Sequence, residues 1–578
     1  MDIFTLIEND DLEQIKKINK INFNIKNSVG ETPFYASCSK GRIDVAKYIH
    51  SIDDTQYKIQ NNNKCTPFYA SCFEGHLDIA KWIHSIDNTQ YKIQNNNKCT
   101  PFYASCSKGH LDIAKWIHSI DDAQYKIQNN IKCAPFYASC YRGHLDIAKW
   151  IHSIDNTQYK IQNNNKYTPF YASCEAGHLD IAKWIHSIDD TQYKIQNNNK
   201  CTPFYASCFK GHLDIAKWIH SIDNTQYKIQ INSRCTPFYA SCYEGHLDIA
   251  KWIHSIDDTQ YKIQNNDKCT PFYASCFKGH LDIAKWIHSI NNTQYKIQTN
   301  WLKYTPFYAS CSKGHLDIAK WIHSIDDAQY KIINNDKRTP FYASCEAGHL
   351  DIAKWIHSID DTQYKIQNND KCTPFYASCL NGHLDIAKWI HSIDNTQYKI
   401  INANGDTPYS ISCMTDNLPI ADWIDMIYKS TDINKSTDIN KSTDINKSTD
   451  INKSTDINKS TDINKSTDIN KSTDINKSTD DDKFLEHLIQ NEMNTTQFIL
   501  RSKNHTFTNK LLEIAINKKR KYEILTHIIE NNDCLIDQNI LNLCLQYNKR
   551  IYNKIYKLYQ NQCKIIQIYN KINNIIEL

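Results

Sequence analysis

Thr66-Pro67-Phe68-Tyr69-Ala70-Ser71-Cys72-Phe73-Glu74-Gly75-His76-Leu77-Asp78-Ile79-Ala80-Lys81-Trp82-Ile83-His84-Ser85-Ile86 is a stretch that returns, nearly letter for letter, along most of the chain. Its local chemistry predicts two helices. The Thr66 hydroxyl is a helix N-cap, and Pro67 suits the first helical position, where no intrahelical amide bond is lost. Gly75 suits the left-handed residue that ends a helix. Beyond it Leu77, Ala80, Ile83 and Ile86 recur every three residues, with Ile79 and Trp82 beside them, which predicts a second, longer helix. The polar run Gln94-Asn95-Asn96-Asn97-Lys98 then reads as a loop or short hairpin.

The spacing makes this a repeat array. Thr-Pro, or Ala-Pro once, begins at Thr32, Thr66, Thr100, Ala134, Thr168, Thr202, Thr236, Thr270, Thr305, Thr339, Thr373 and Thr407. The step is 34 residues except for 35 between Thr270 and Thr305, where the extra residue falls in the loop near Trp301-Leu302. Loops absorb such insertions. The segment Ile3 to Ile18 has the two-helix pattern without Thr-Pro, so residues 1–31 read as an N-terminal capping unit and residues 32–428 as the tandem array. Pro419, Asp422 and Asp425 make the last unit diverge, as expected of a stack end with one face in water.

Thr-Pro, a pair of small residues, two variable positions and Gly-His-Leu resemble the ankyrin repeat. The resemblance implies an all-α solenoid of about 12–13 helix-turn-helix units, whose variable positions and loop tips line a concave face that holds protein partners. There are departures. Tyr69 stands where the family has His, Ser71-Cys72 replaces two alanines, and the loop glycine survives only as Gly30 and Gly405. Lys64, Lys98 and their equivalents take its place, and lysine resists the positive φ that glycine adopts freely. The Asn-, Ile- and Lys-rich wording and tandem expansion also resemble ankyrin arrays of AT-rich genomes, such as those of amoeba-infecting giant viruses and some protists.

Composition narrows the function classes. With 67 basic and 63 acidic residues the chain carries only +4, so no global field draws it to nucleic acid or an anionic membrane. The first residues lack the basic start and apolar core of a signal peptide, and no run of about 18 apolar residues occurs. These features predict a soluble chain kept in the cytosol.

Of 22 cysteines, 19 fall at the positions of Cys65 and Cys72; of 24 histidines, 21 fall at those of His76 and His84. A metal site needs ligands converging within about 2–2.3 Å of one ion, whereas repetition spaces equivalent residues apart, so packing explains them better. No phosphate loop, zinc-protease helix or nucleophile elbow is present. We therefore expect no cofactor, no metal, no small-molecule substrate and no enzymatic activity.

What remains is surface. The two positions after the repeat cysteine differ most among the copies, and they include Phe73-Glu74, Lys108, Tyr141-Arg142, Phe209-Lys210, Tyr243-Glu244, Phe277-Lys278 and Lys313. Aromatic side chains beside charges read as contact anchors for a protein partner. The bland alternative is that these positions pack against nothing and are free to differ.

From Ser430 to Lys477 the hexapeptide Ser-Thr-Asp-Ile-Asn-Lys repeats eight times. One isoleucine in six cannot offset the entropy of ordering, so residues 429–483 read as a disordered linker. Residues 484–578 regain an apolar pattern and read as a small helical segment, either degenerate ankyrin-like pairs or an unrelated domain. Lys518-Lys519-Arg520-Lys521 is either a solvated turn or a nuclear-import signal. Three functions fit: a scaffold gripping a partner along the array, an adaptor that also recruits machinery through its C-terminal helices, or a rod without a specific partner.

Overall fold

The computed structural model describes residues 2–18, 22–299 and 302–428. The expected linker 429–483 and C-terminal segment 484–578, with the Lys518 cluster, lie outside the described residues. The chain divides into two compact bodies: one comprises Met1–Ser344 with Lys354–Ile356, and the other begins with Cys345–Ala353 and runs on from His357.

Within the first body the unit repeats with little variation. Its first helix spans Pro67–Glu74 and its second Leu77–Ile86. Thr66 Oγ1 accepts the Tyr69 amide at 3.1 Å, the cap that the sequence predicts. Gly75 closes the first helix at φ +92°, its amide donating to the Ser71 carbonyl. The second helix ends where Asp87 turns extended. Asp87 then organises the turn that follows: Oδ1 accepts Thr89 Oγ1 at 2.6 Å and the Thr89 amide, and Oδ2 accepts Gln90 Nε2 at 3.0 Å. The result is a short 3-10 turn, Gln90–Lys92, inside what the sequence presents as plain loop. The structure is all helical, with no strand among the described residues.

The core lies between units. Phe68, Cys72, Ile79, Ala80 and Ile83 are fully buried. Leu77, which shares the three-residue spacing, is only half-buried because it stands at the start of the second helix. Trp116 of the following unit enters between Phe68, 6.2 Å away by ring centroids, and His84, which it meets edge-on at 5.5 Å. Such edge-on aromatic contacts add about 0.5–1.5 kcal/mol beyond burial. One unit alone would leave this aromatic slot open, so stability comes from stacking.

The loops keep the left-handed residue without glycine. Lys64 has φ +58°, Lys98 +59° and Arg234 +62°. Asn95 explains why. Its Oδ1 accepts the amides of Asn97 and Cys99, at 2.9 and 3.0 Å, while its own amide donates to the Cys99 carbonyl. This closes the chain around Lys98, whose long side chain projects into solvent. Adjacent loops are tied by the Asn96 amide donating to the Asn63 carbonyl at 2.9 Å, and the Asn96 side chain donates to the Asn62 carbonyl.

The first helix pair, Ile3–Glu8 and Leu12–Lys17, joins the array through polar substitutes. Arg42 occupies the His76 position and donates to the Glu8 carbonyl at 2.9 Å, while Lys40 pairs with Glu8 at 3.3 Å. In the second body the last unit uses Asn417 at the same position, donating to the Leu380 carbonyl at 2.8 Å. Its second helix occupies residues 418–428.

Candidate functional site

The repeated histidines and cysteines are structural. His110 Nε2 lies 3.1 Å from the Phe73 carbonyl oxygen of the preceding unit. A carbonyl only accepts, so the ring is held with its proton on Nε2. The same ring covers Gly75: a Cβ added there would stand 2.5 Å from His110 Cε1. Gly-His is thus two halves of a staple between consecutive units, which no reading of a single copy reveals. Cys72 is fully buried, and desolvation pushes its thiol well above the ordinary range. A thiol held protonated in an apolar site is neither a nucleophile nor a metal ligand. Among the described residues, no group of His, Cys, Asp or Glu could hold a metal ion.

The opposite side of the first helix carries the variable pairs. Tyr35, Cys65, Tyr69, Ala70, Cys99 and Ala104 form one apolar cluster across consecutive units, with Phe73 and Tyr103 packed against it. Several repeat tyrosines stack beneath a variable aromatic one turn later: Tyr69 on Phe73 at 6.2 Å, Tyr239 on Tyr243 at 6.3 Å and Tyr273 on Phe277 at 6.2 Å. Tyrosine in the family's histidine position also receives a hydrogen bond from the next loop, with Asn95 Nδ2 donating to the Tyr69 hydroxyl at 3.2 Å. Burial raises the pKa of that hydroxyl far above the usual phenol range.

This geometry corrects the expectation of freely exposed aromatics. Tyr141 is 40% exposed, whereas Phe73, Phe209, Tyr243 and Phe277 are half-buried. Lysines of the next unit lie over three of them: Lys108 stands 4.3 Å from the Phe73 ring centroid, Lys278 4.5 Å from Tyr243 and Lys313 4.8 Å from Phe277. Lys210 and Arg142 lie near Phe209 and Tyr141 of their own units, at 5.4 and 5.6 Å. Glu74 is exposed and Glu244 half-buried. The variable pairs therefore form a semi-rigid surface of ring edges and alkyl stems with charged heads in water. The signal in the sequence is the step of 35 between an aromatic and its lysine, as from Phe73 to Lys108, or 36 across the longer loop from Phe277 to Lys313.

A stack of near-identical helix pairs, each incomplete without its neighbour, defines a tandem-repeat protein. Ankyrin repeats match residues 3–92, 136–229, 272–365 and 342–391, and the chain belongs to the ankyrin-repeat family. Ankyrin repeats are protein–protein interaction modules, typically non-enzymatic, and they imply protein partners. A Schizosaccharomyces pombe repeat of unknown function matches residues 427–456 and 447–480, almost wholly outside the described residues. No curated protein matches the chain. No helix among the described residues is long and apolar enough to cross a membrane.

Proposed function

We propose that this chain is a non-enzymatic scaffold that grips one extended protein partner along the concave face expected of the array, through the variable pairs. The observation that supports this reading is the continuity of the surface at Phe73. One apolar cluster spans consecutive units there and is edged by charged residues that differ from copy to copy. A partner touching several units meets partly buried rings flanked by charges whose sign differs among units. The buried thiols fit a reducing intracellular setting.

The test uses the full chain as bait and as a variant with Phe73, Tyr141, Phe209, Tyr243 and Phe277 changed to Ala. Truncating an aromatic anchor commonly costs about 1–2 kcal/mol or more, so the expected result is loss of the partner from affinity purification with an unchanged circular dichroism spectrum. Full retention of the partner by the folded variant would move the contact surface to the loops or the C-terminal segment.

A further inference from the structure

The loop before the ninth Thr-Pro unit breaks the regular chemistry. In most units an asparagine closes the loop, and in several of them it also donates to the tyrosine hydroxyl 26 residues earlier, as Asn265 does to Tyr239 at 3.4 Å; Ile231 is the other departure. Thr299 takes that place. Its Oγ1 accepts the Tyr304 amide at 3.0 Å, five residues on rather than four, because this loop is one residue longer. A threonine hydroxyl closes the loop but offers Tyr273 no amide.

Beside this change a cavity of about 320 Å³ opens within the first body, walled by Tyr239, Tyr243, Tyr273, Phe277 and Tyr304. Thr299 and Asp267 supply polar groups at its lining. The ammonium groups of Lys278 and Lys313 lie 4.5 and 4.8 Å from the Tyr243 and Phe277 ring centroids. Lys268 and Lys303, exposed at the two loop tips, add two further positive charges.

We propose that this cavity is the anchor point of the array, receiving one large aromatic side chain from a partner segment whose flanking residues are acidic. The proposal rests on the scaffold reading and names the partner's chemistry. Aromatic walls favour an apolar ring, and a ring bearing an N–H or O–H finds an acceptor in Asp267. A set of aromatic walls could instead hold a cation. Here the rings already neighbour Lys278 and Lys313, and with the exposed Lys268 and Lys303 the nearby lysines outnumber the Asp267 and Glu244 carboxylates, so a cationic guest is disfavoured while acidic neighbours of an aromatic guest are attracted.

Fluorescence anisotropy of the full chain with labelled heptapeptides tests this, the first probe having one tryptophan between two Asp-Glu pairs spaced by glycine. It should bind saturably, and replacing its tryptophan by alanine or its acids by lysine should each weaken binding by about tenfold or more. On the protein side, Tyr243→Ala with Phe277→Ala should abolish binding. Lys278→Glu with Lys313→Glu should shift preference toward the lysine-flanked peptide, while Lys285→Glu on the outer helix should change nothing. Circular dichroism confirms that each variant is folded. No saturable binding up to about 1 mM, equal binding of all three peptides, a wild-type preference for the lysine-flanked peptide, or indifference to the Tyr243 and Phe277 changes would each overturn the proposal. If that happens while the five-aromatic variant still loses its partner, the scaffold reading stands and only the anchor is misplaced.

Discussion

Phe68 and Phe73 sit on one eight-residue helix, five residues apart, yet they answer to different constraints. Phe68 is fully buried against Trp116, and its equivalents from Phe34 to Phe375 are all phenylalanine. Phe73 is half-buried beneath Lys108, and its equivalents include Ser, Tyr, Glu and Leu. Both are aromatic and both touch the neighbouring unit. The difference is that the first fills a closed slot, where a change of volume is felt at once, whereas the second covers an apolar cluster from the solvent side and can be replaced by other residues that leave the stack intact.

Substitutions can break this contrast, and the largest effect should come from the closed slot. Phe136→Ala, in the fully buried position of the fourth unit, should cost about 3–5 kcal/mol. Urea denaturation followed by tryptophan fluorescence would measure it, since Trp184 packs on that ring at 6.2 Å. Tyr141→Ala in the same helix should change stability by no more than about 0.5 kcal/mol. If the two costs are equal, the division between packing side and partner side is wrong.

A smaller loss is expected at the staple. Gly143→Ala places a Cβ 2.6 Å from His178 Cε1 in a left-handed conformation, at a cost of about 1–3 kcal/mol. Thermal denaturation of the single variant and of Gly143→Ala with His178→Ala would sharpen the point. Removing the ring should relieve the clash but not the backbone strain, so the pair should be less than additive.

Acid should act on both sides through weaker terms. His152, His220 and His288 are lowered below their ordinary 6.5 by desolvation between units. The unfolded chain therefore binds more protons, and their contribution is complete above about pH 6.5 and lost as pH falls toward the folded values. Asp87, Asp155 and Asp223 are lowered below 3.8 by hydrogen bonds from their threonine and then glutamine neighbours. Their contribution is present above that value and lost below it. The melting temperature should thus decline in two separate pH ranges, and a histidine-to-phenylalanine change at His220 should shrink only the upper one.

The smallest effect is a gain. Lys98 at φ +59° is strained in a way glycine is not, so Lys98→Gly should stabilise by about 0.5–1 kcal/mol after the added entropy of the unfolded chain is subtracted. A loss of stability in chemical denaturation would show that the lysine side chain makes contacts that outweigh its strain.

The unit itself was legible in the amino-acid order because its determinants lie within a few residues of one another. Thr66 reaches the Tyr69 amide, Gly75 ends the helix it follows, and the three-residue spacing places Ala80 and Ile83 on a single face. Such short-range rules need no knowledge of the fold. What the tertiary structure alone decided lies 35 to 48 residues away in the chain: the His110 ring over Gly75, Trp116 against Phe68, Lys108 over Phe73. It also decided that Lys98 would take glycine's conformation, because Asn95 closes the loop around it. The cavity beside Thr299 depends on both kinds of information. A single inserted residue is visible in the spacing, but the cavity beside it is walled by rings of successive units that only stacking brings together.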